Sequence, residues 1–127
     1  MKEILVLLLS SCMFAATPVL GAPAFWDPDP VAVQKVDDAV AKLPNFSGFN
    51  CQPRNILEFA RHYGGFTDKQ GRRMIVGQLL LLSRFPNEKP GIHIDRRPKV
   101  ADGGCNVANI WFDADTLELI QASWGGR

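Results

Sequence analysis

The fold depends on residues 74–82, which read Met-Ile-Val-Gly-Gln-Leu-Leu-Leu-Leu. Periodicity does not separate a buried helix from a buried strand in a run that is so uniformly apolar. Gly77 weakens a helix, and Gly71 and Pro86 bracket the run at a length that is typical of a strand. We therefore interpret residues 72–85 as a buried strand, with a buried helix as the alternative.

Strand patterns continue on the C-terminal side of this run. Residues 92–96 form a short segment whose isoleucines alternate with polar side chains. Residues 106–112 and 117–124 are rich in β-branched and aromatic side chains, and the short polar residues 113–116 between them suit a hairpin turn. Together with the apolar run, these segments predict four strands.

Helical spacing is found on the N-terminal side of the run. Asp29-Pro30 is a typical helix start, because proline is favoured at the first helical position, and apolar residues then recur at helical spacing through residues 30–43. Residues 53–63 repeat the signal, with apolar side chains at i, i+3, i+4 and i+7 from Ile56 onward. The sequence therefore predicts an α+β domain in which two N-terminal helices pack on a four-stranded antiparallel meander.

The first 24 residues have the layout of a signal peptide. Lys2 precedes a continuous apolar segment, and Ala22-Pro23-Ala24 supplies the small residues that signal peptidases require. Thr17-Pro18 interrupts the apolar character before it reaches the roughly 20 residues of a membrane-spanning helix. We expect cleavage after Ala24, a single domain over residues 25–127, and a periplasmic or secreted protein.

The cysteines predict a disulfide. Residues 9–12 also resemble a lipoprotein cleavage box, so a lipid anchor at Cys12 is the alternative to cleavage after Ala24. Either route removes Cys12 from pairing and leaves Cys51 and Cys105. In an oxidising compartment such a pair is read first as a disulfide, and the lack of C-x-x-C spacing argues against zinc. We expect a Cys51–Cys105 disulfide, no metal site and no cofactor.

The charges are nearly balanced but unevenly distributed. The 127 residues are 46% hydrophobic, and 14 Lys and Arg stand against 13 Asp and Glu, which excludes a nucleic-acid binder whose whole surface follows phosphates. Residues 61–99 carry nine basic and three acidic side chains. In the predicted meander, Arg72, Arg73, Arg96 and Arg97 lie near one end of the sheet and form a contact surface for an acidic protein or polyanion. Ordinary solubilising charge is the alternative.

The last predicted hairpin presents apolar side chains to both faces of the sheet. Ile110 and Phe112 project to one face, whereas Trp111 projects to the other. The two predicted helices cover only one of these faces. Either residues 96–104 or the N-terminal residues 25–26 cover the second face, or an aromatic patch around Trp111 is exposed there and binds a partner.

Candidate catalytic residues are few. His93 and Asp95 fall on the same face of a short predicted strand, where they would ligate a metal or act as a base and its orienting carboxylate. A solvated strand face is the alternative interpretation of the pair. Asp113 and Asp115 resemble a fragment of a calcium loop, but the remaining ligands are missing at the required spacing.

Four short motifs resemble a group of small exported bacterial proteins of unknown function. The motifs are residues 59–63, 71–73, 90–94 and the Asp-Gly-Gly-Cys segment that starts at Asp102, before a C-terminal β-hairpin. In that group a second cysteine often lies in the final strand, where this chain has Ala122-Ser123-Trp124. The resemblance implies export and an α+β fold, and it implies no activity.

The functional prediction is an exported binding or interaction module. One alternative is a periplasmic inhibitor or immunity-type protein that blocks an enzyme, because small domains with a disulfide and few reactive groups suit that role. The other alternative, from a different class, is a small hydrolase or metal-dependent enzyme that uses His93 and Asp95.

Overall fold

The computed structural model describes residues 24–43, 51–95 and 103–124. In these residues, one α-helix packs on a six-stranded sheet, and one-turn 3-10 helices at Ile56–Glu58 and Gly104–Asn106 precede the second and fifth strands. The helix, α1, is Pro30–Ala41. The strands are β1 Ala24–Trp26, β2 Phe59–Thr67, β3 Arg73–Leu81, β4 Gly91–Ile94, β5 Val107–Asp113 and β6 Leu119–Trp124.

Strand β2 organises the sheet. One of its edges pairs with β3 along the whole strand, in antiparallel orientation. Its other edge pairs with β4, parallel, through residues 60–63, and with β1, antiparallel, through residues 65–67. Antiparallel pairing of β3 with β5 and of β5 with β6 completes the sheet.

The predicted second helix is wrong, because residues 53–63 form a single 3-10 turn and then the first half of β2. Asn55 caps this turn: its side chain accepts from the Leu57 N–H, and the Glu58 carboxylate accepts from the Asn55 N–H at 2.7 Å. The following strand is buried on both faces. A strand of that kind shows no clear alternation of polar and apolar residues, and the apolar spacing matched a helix by chance.

The predicted four-stranded antiparallel meander is also wrong. In the described residues the sheet contains two further strands, β1 and β2, and β2 is an antiparallel partner of β3. Strand β4 does not follow β3 in the sheet, since residues 82–90 carry the chain to the far edge of β2, where β4 pairs in parallel. The architecture is therefore mostly β, with one helix on one face of the sheet.

Four other predictions are confirmed. The first helix occupies Pro30–Ala41, and the apolar run is strand β3, as interpreted. The hairpin of β5 and β6 turns at the predicted polar segment. Cys51 and Cys105 form a disulfide with their Cα atoms 5.5 Å apart.

The hydrophobic core lies between α1 and one face of the sheet, which we call the helix face. Helix side chains Val33, Val36 and Val40 are almost fully buried there. They pack on a cluster from the three central strands that comprises Phe59, Tyr63, Ile75, Leu79, Leu81, Ala108, Ile110 and Phe112. The opposite side of the sheet, the open face, has no helix over it in the described residues.

The predicted signal peptide lies outside the described residues, except for Ala24. Ala24 and Phe25, on either side of the predicted cleavage site, are the first residues of β1. Within the described ranges, no helix combines the length and the apolar character that crossing a bilayer requires.

Candidate functional site

The open face of the sheet contains a cavity of about 220 Å³. Strands β1, β2, β3 and β5 and the residue that follows β4 contribute to its wall. The lining residues are Phe25, His62, Gly64, Gly65, Phe66, Val76, Gln78, Asp95, Asn109 and Trp111. We call it the open-face cavity.

Strand register places a row of polar side chains across the open face. His93, His62, Gln78, Asn109 and Ser123 are successive cross-strand partners from β4 to β6. Gln78 and Asn109 are buried and hydrogen-bonded to each other, with Gln78 Nε2 donating to Asn109 Oδ1 at 2.9 Å. His62, Gln78 and Asn109 of this row form the polar end of the open-face cavity.

The neighbouring row of the sheet is apolar and leaves room for the cavity. Gly64, Val76 and Trp111 are cross-strand partners on β2, β3 and β5. Because Gly64 has no side chain, backbone atoms form the wall of the cavity at this point of the row. Beyond it, the rings of Phe25 and Phe66 lie with their centroids 5.2 Å apart and extend the apolar wall.

His62 is held between two carboxylates. Its Nε2 lies 2.5 Å from Glu88 Oε1, and its Nδ1 forms a short hydrogen bond with Asp95 Oδ2. Ionised carboxylates only accept hydrogen bonds, so the imidazolium is the form of His62 that donates to both. The ring is 6% exposed. With both nitrogens engaged, His62 has neither a free lone pair for a metal nor one for a substrate proton.

His93 and Asp95 share a face, as the alternation predicts, but each contacts another group. The ring of His93 stacks on His62 with centroids 4.8 Å apart, and its Nε2 lies 2.8 Å from the carbonyl oxygen of Lys89. Asp95 pairs with His62. Among the described residues, no group of three or more His, Cys, Asp or Glu side chains is placed to hold a metal ion.

Trp111 lies on the open face, half-buried, as the predicted alternation requires. The N-terminal strand divides its two aromatic residues between the faces. Phe25 lines the open-face cavity beside Phe66, whereas Trp26 packs against the core on the helix face. Residues 25–26 therefore contribute one side chain to the second face, and most of residues 96–104 lie outside the described ranges.

The four arginines of the predicted contact surface are only partly described. Arg72 and Arg73 are exposed where the turn after β2 enters β3. The Arg73 guanidinium lies 4.4 Å above the Trp26 ring and 3.5 Å from the Asp115 carboxylate. Arg96 and Arg97 are outside the described residues. The contact surface for an acidic partner stays a prediction.

Sequence reasoning missed the polar end of the cavity. His62 falls on the helix that was predicted for residues 53–63, so nothing placed it beside Asp95. Gln78 and Asn109 were the available signal, because each is the single polar residue in the interior of its strand, away from the strand ends. A buried polar side chain in such a position needs a partner, and here the partners come from the neighbouring strands.

Comparison with known proteins gives no match, whether with family models, with curated proteins or with solved structures.

Proposed function

We propose that this protein is an exported binding domain whose ligand is a small molecule with a compact apolar body. The open-face cavity carries the proposal, because it joins an aromatic wall to one polar end. Ligand pockets in proteins are concave and mostly apolar, with a few placed polar groups that orient the ligand. The rows at Gly64 and at His62 supply these two components side by side.

The volume of the cavity limits the size of the ligand. A cavity of about 150 Å³ accommodates benzene. The 220 Å³ found here fits one ring with a short substituent. Drug-sized molecules require roughly 300–1,000 Å³, so the ligand belongs to a smaller class.

The state of His62 supports binding rather than catalysis. A general base needs a free nitrogen within hydrogen-bond reach of the proton that it removes. Both nitrogens of His62 contact carboxylates, so His62 offers no such nitrogen. Asp95, the orienting carboxylate of the hydrolase alternative, bonds to His62 and not to His93, which favours the binding module.

Two observations support export. The Cys51–Cys105 disulfide is of a kind that persists in oxidising compartments. The N-terminal pattern of a basic residue, an apolar segment and small residues is typical of a secretory signal. A periplasmic or secreted binding domain is consistent with both.

Calorimetric titration with 2-phenylethanol tests the proposal. The probe has one ring and a short polar tail, and for roughly nine non-hydrogen atoms we expect a Kd of about 1 mM or below. Trp111→Ala should weaken binding about tenfold, because the variant removes a large part of the aromatic wall. Leu119→Ala is the matched control, since Leu119 is an exposed apolar residue of β6 that does not line the cavity.

Two results would contradict the proposal. The first is that the folded, disulfide-bonded protein binds neither this probe nor other one-ring probes at millimolar concentration. The second is equal weakening by Trp111→Ala and Leu119→Ala, which would place any binding elsewhere on the surface.

A further inference from the structure

The polar end of the open-face cavity includes an acidic side chain. Glu88 and Asp95 are carboxylates, and the His62 imidazolium between them neutralises one of the two. The described lining of the cavity contains one carboxylate, Asp95, and no lysine or arginine. Among the described residues, the cavity therefore offers a carboxylate to a ligand rather than a basic group.

Asp95 presents this charge to the cavity. Its Oδ2 is bonded to His62 Nδ1, and its backbone N–H donates to the Tyr63 carbonyl oxygen at 2.9 Å, which fixes the residue at the end of β4. Among the described residues, the carboxylate makes no other hydrogen bond. Its side chain is 36% exposed, so the second carboxylate oxygen is accessible to a donor on a bound ligand.

The aromatic wall of the cavity also favours a positively charged group on the ligand. Phe25, Phe66 and Trp111 line the cavity beside its polar end. The face of an aromatic ring carries partial negative charge and attracts a cation, most strongly in tryptophan. Carboxylate and rings thus both favour a positively charged group over a negative one.

We propose that the ligand of the open-face cavity is a small organic amine, whose ammonium group donates to Asp95 and whose single ring or short alkyl body lies against Trp111. This inference rests on the proposed binding function and specifies its ligand class. The amine is oriented by the second oxygen of Asp95, while the polar row of Gln78 and Asn109 borders the same end of the cavity.

Three probes of the same size test the charge preference. We would titrate the disulfide-bonded protein with 2-phenylethylamine, 2-phenylethanol and phenylacetate at pH 7 and low salt. The amine should bind about tenfold more tightly than the alcohol, because hydrogen bonds to an ionised partner are roughly twice as strong as neutral ones, and phenylacetate should bind most weakly. The preference for the amine should shrink as salt is added.

Substitutions test whether Asp95 causes the preference for the amine over the alcohol. Asp95→Asn keeps the size of the side chain and should reduce amine binding to the level of the alcohol. Glu88→Gln removes a charge that contacts His62 from outside the cavity lining, so its effect should be smaller. Glu118→Gln is the control, since Glu118 is an exposed carboxylate in the turn before β6.

Each result has one meaning. Equal binding of amine and alcohol, or tightest binding of phenylacetate, overturns the amine inference and leaves the proposed binding function standing. An amine preference that survives Asp95→Asn overturns the role of Asp95. Failure of all three probes to bind overturns the proposed function, and the amine inference with it.

Discussion

The ring of Tyr63 covers the backbone of Gly77 on the neighbouring strand. The two residues are direct partners in the pairing of β2 with β3, and a Cβ added at position 77 would lie 2.6 Å from Tyr63 Cε1. With the ring in this position, the phenol donates to Asp37 Oδ1 of α1 at 2.6 Å. The Tyr63 ring therefore explains why the apolar run of residues 74–82 contains a glycine at position 77.

Gly77→Ala should destabilise the protein by about 1–3 kcal/mol, because the new methyl group displaces the Tyr63 ring in a packed core. Urea denaturation of both proteins measures the difference in the free energy of unfolding. In a Tyr63→Leu background the same change should cost at least about 1 kcal/mol less, since the ring that it meets is gone. Equal costs in both backgrounds would show that the contact is not the cause.

Asp37→Ala should destabilise the protein by about 3–5 kcal/mol, because it leaves the buried Arg61 guanidinium without its partner. Asp37 accepts from Arg61 Nε at 3.1 Å and from Nη2 at 3.2 Å, and both residues are less than 8% exposed. Asp38→Ala is the control on the same helix, where the exposed carboxylate accepts a hydrogen bond from Gln34; its effect should stay within about 0.5 kcal/mol. Similar melting temperatures for both variants would contradict the assigned role of the pair.

Tyr63 should resist ionisation in the folded protein. Burial, and then the hydrogen bond to Asp37, raise the pKa of its phenol well above the ordinary value of about 10. Since the folded-state pKa is the higher one, this stabilisation is fully present below pH 10 and decreases as pH rises beyond it. Tyr63 is the only tyrosine of the chain, so phenolate absorbance reports it alone. The folded protein should show no ionisation near pH 10, whereas a step there without unfolding would contradict the buried phenol.

Removal of the disulfide should destabilise the protein by roughly 4 kcal/mol, from the loop-closure entropy of the unfolded chain. The two cysteines are 54 residues apart in sequence. Thermal unfolding with and without reductant, beside a Cys51→Ser, Cys105→Ser variant, measures the difference. Reductant should lower the melting temperature of the natural protein and leave that of the variant unchanged. Intact mass after alkylation without reductant verifies that both thiols are bonded.

Local sequence patterns predicted the structure correctly where an element buries only one of its faces. Helix α1 exposes one face and buries Val33, Val36 and Val40, so its periodicity was visible in the sequence. The β5–β6 hairpin was predicted from its short polar turn, where backbone N–H groups of Asp115 and Thr116 donate to the Asp113 carboxylate. The cysteine count, together with the predicted export, predicted the disulfide correctly.

The same reasoning failed where the partners of a residue are distant in sequence. In β2, Arg61 is buried because Asp37 of α1 neutralises it, and His62 is buried because Glu88 and Asp95 bond to it. A local window contains none of these partners, so only the apolar spacing of residues 53–63 was visible, and that spacing matched a helix. The same strand lines the cavity. Because residues 53–63 were predicted to be helical, the polar end of the cavity was not predicted.

The disulfide changes what a cut in the chain does to this protein. Cys51 precedes β2 and Cys105 precedes β5, so β2, β3 and β4 lie within the covalent loop. Lys69 and Arg72 are exposed in the turn between β2 and β3, where a trypsin-like protease has access to them. After a cut at either residue the two fragments stay covalently joined. The first cleavage at this turn therefore leaves a single molecule, in which the two halves of the sheet remain covalently joined.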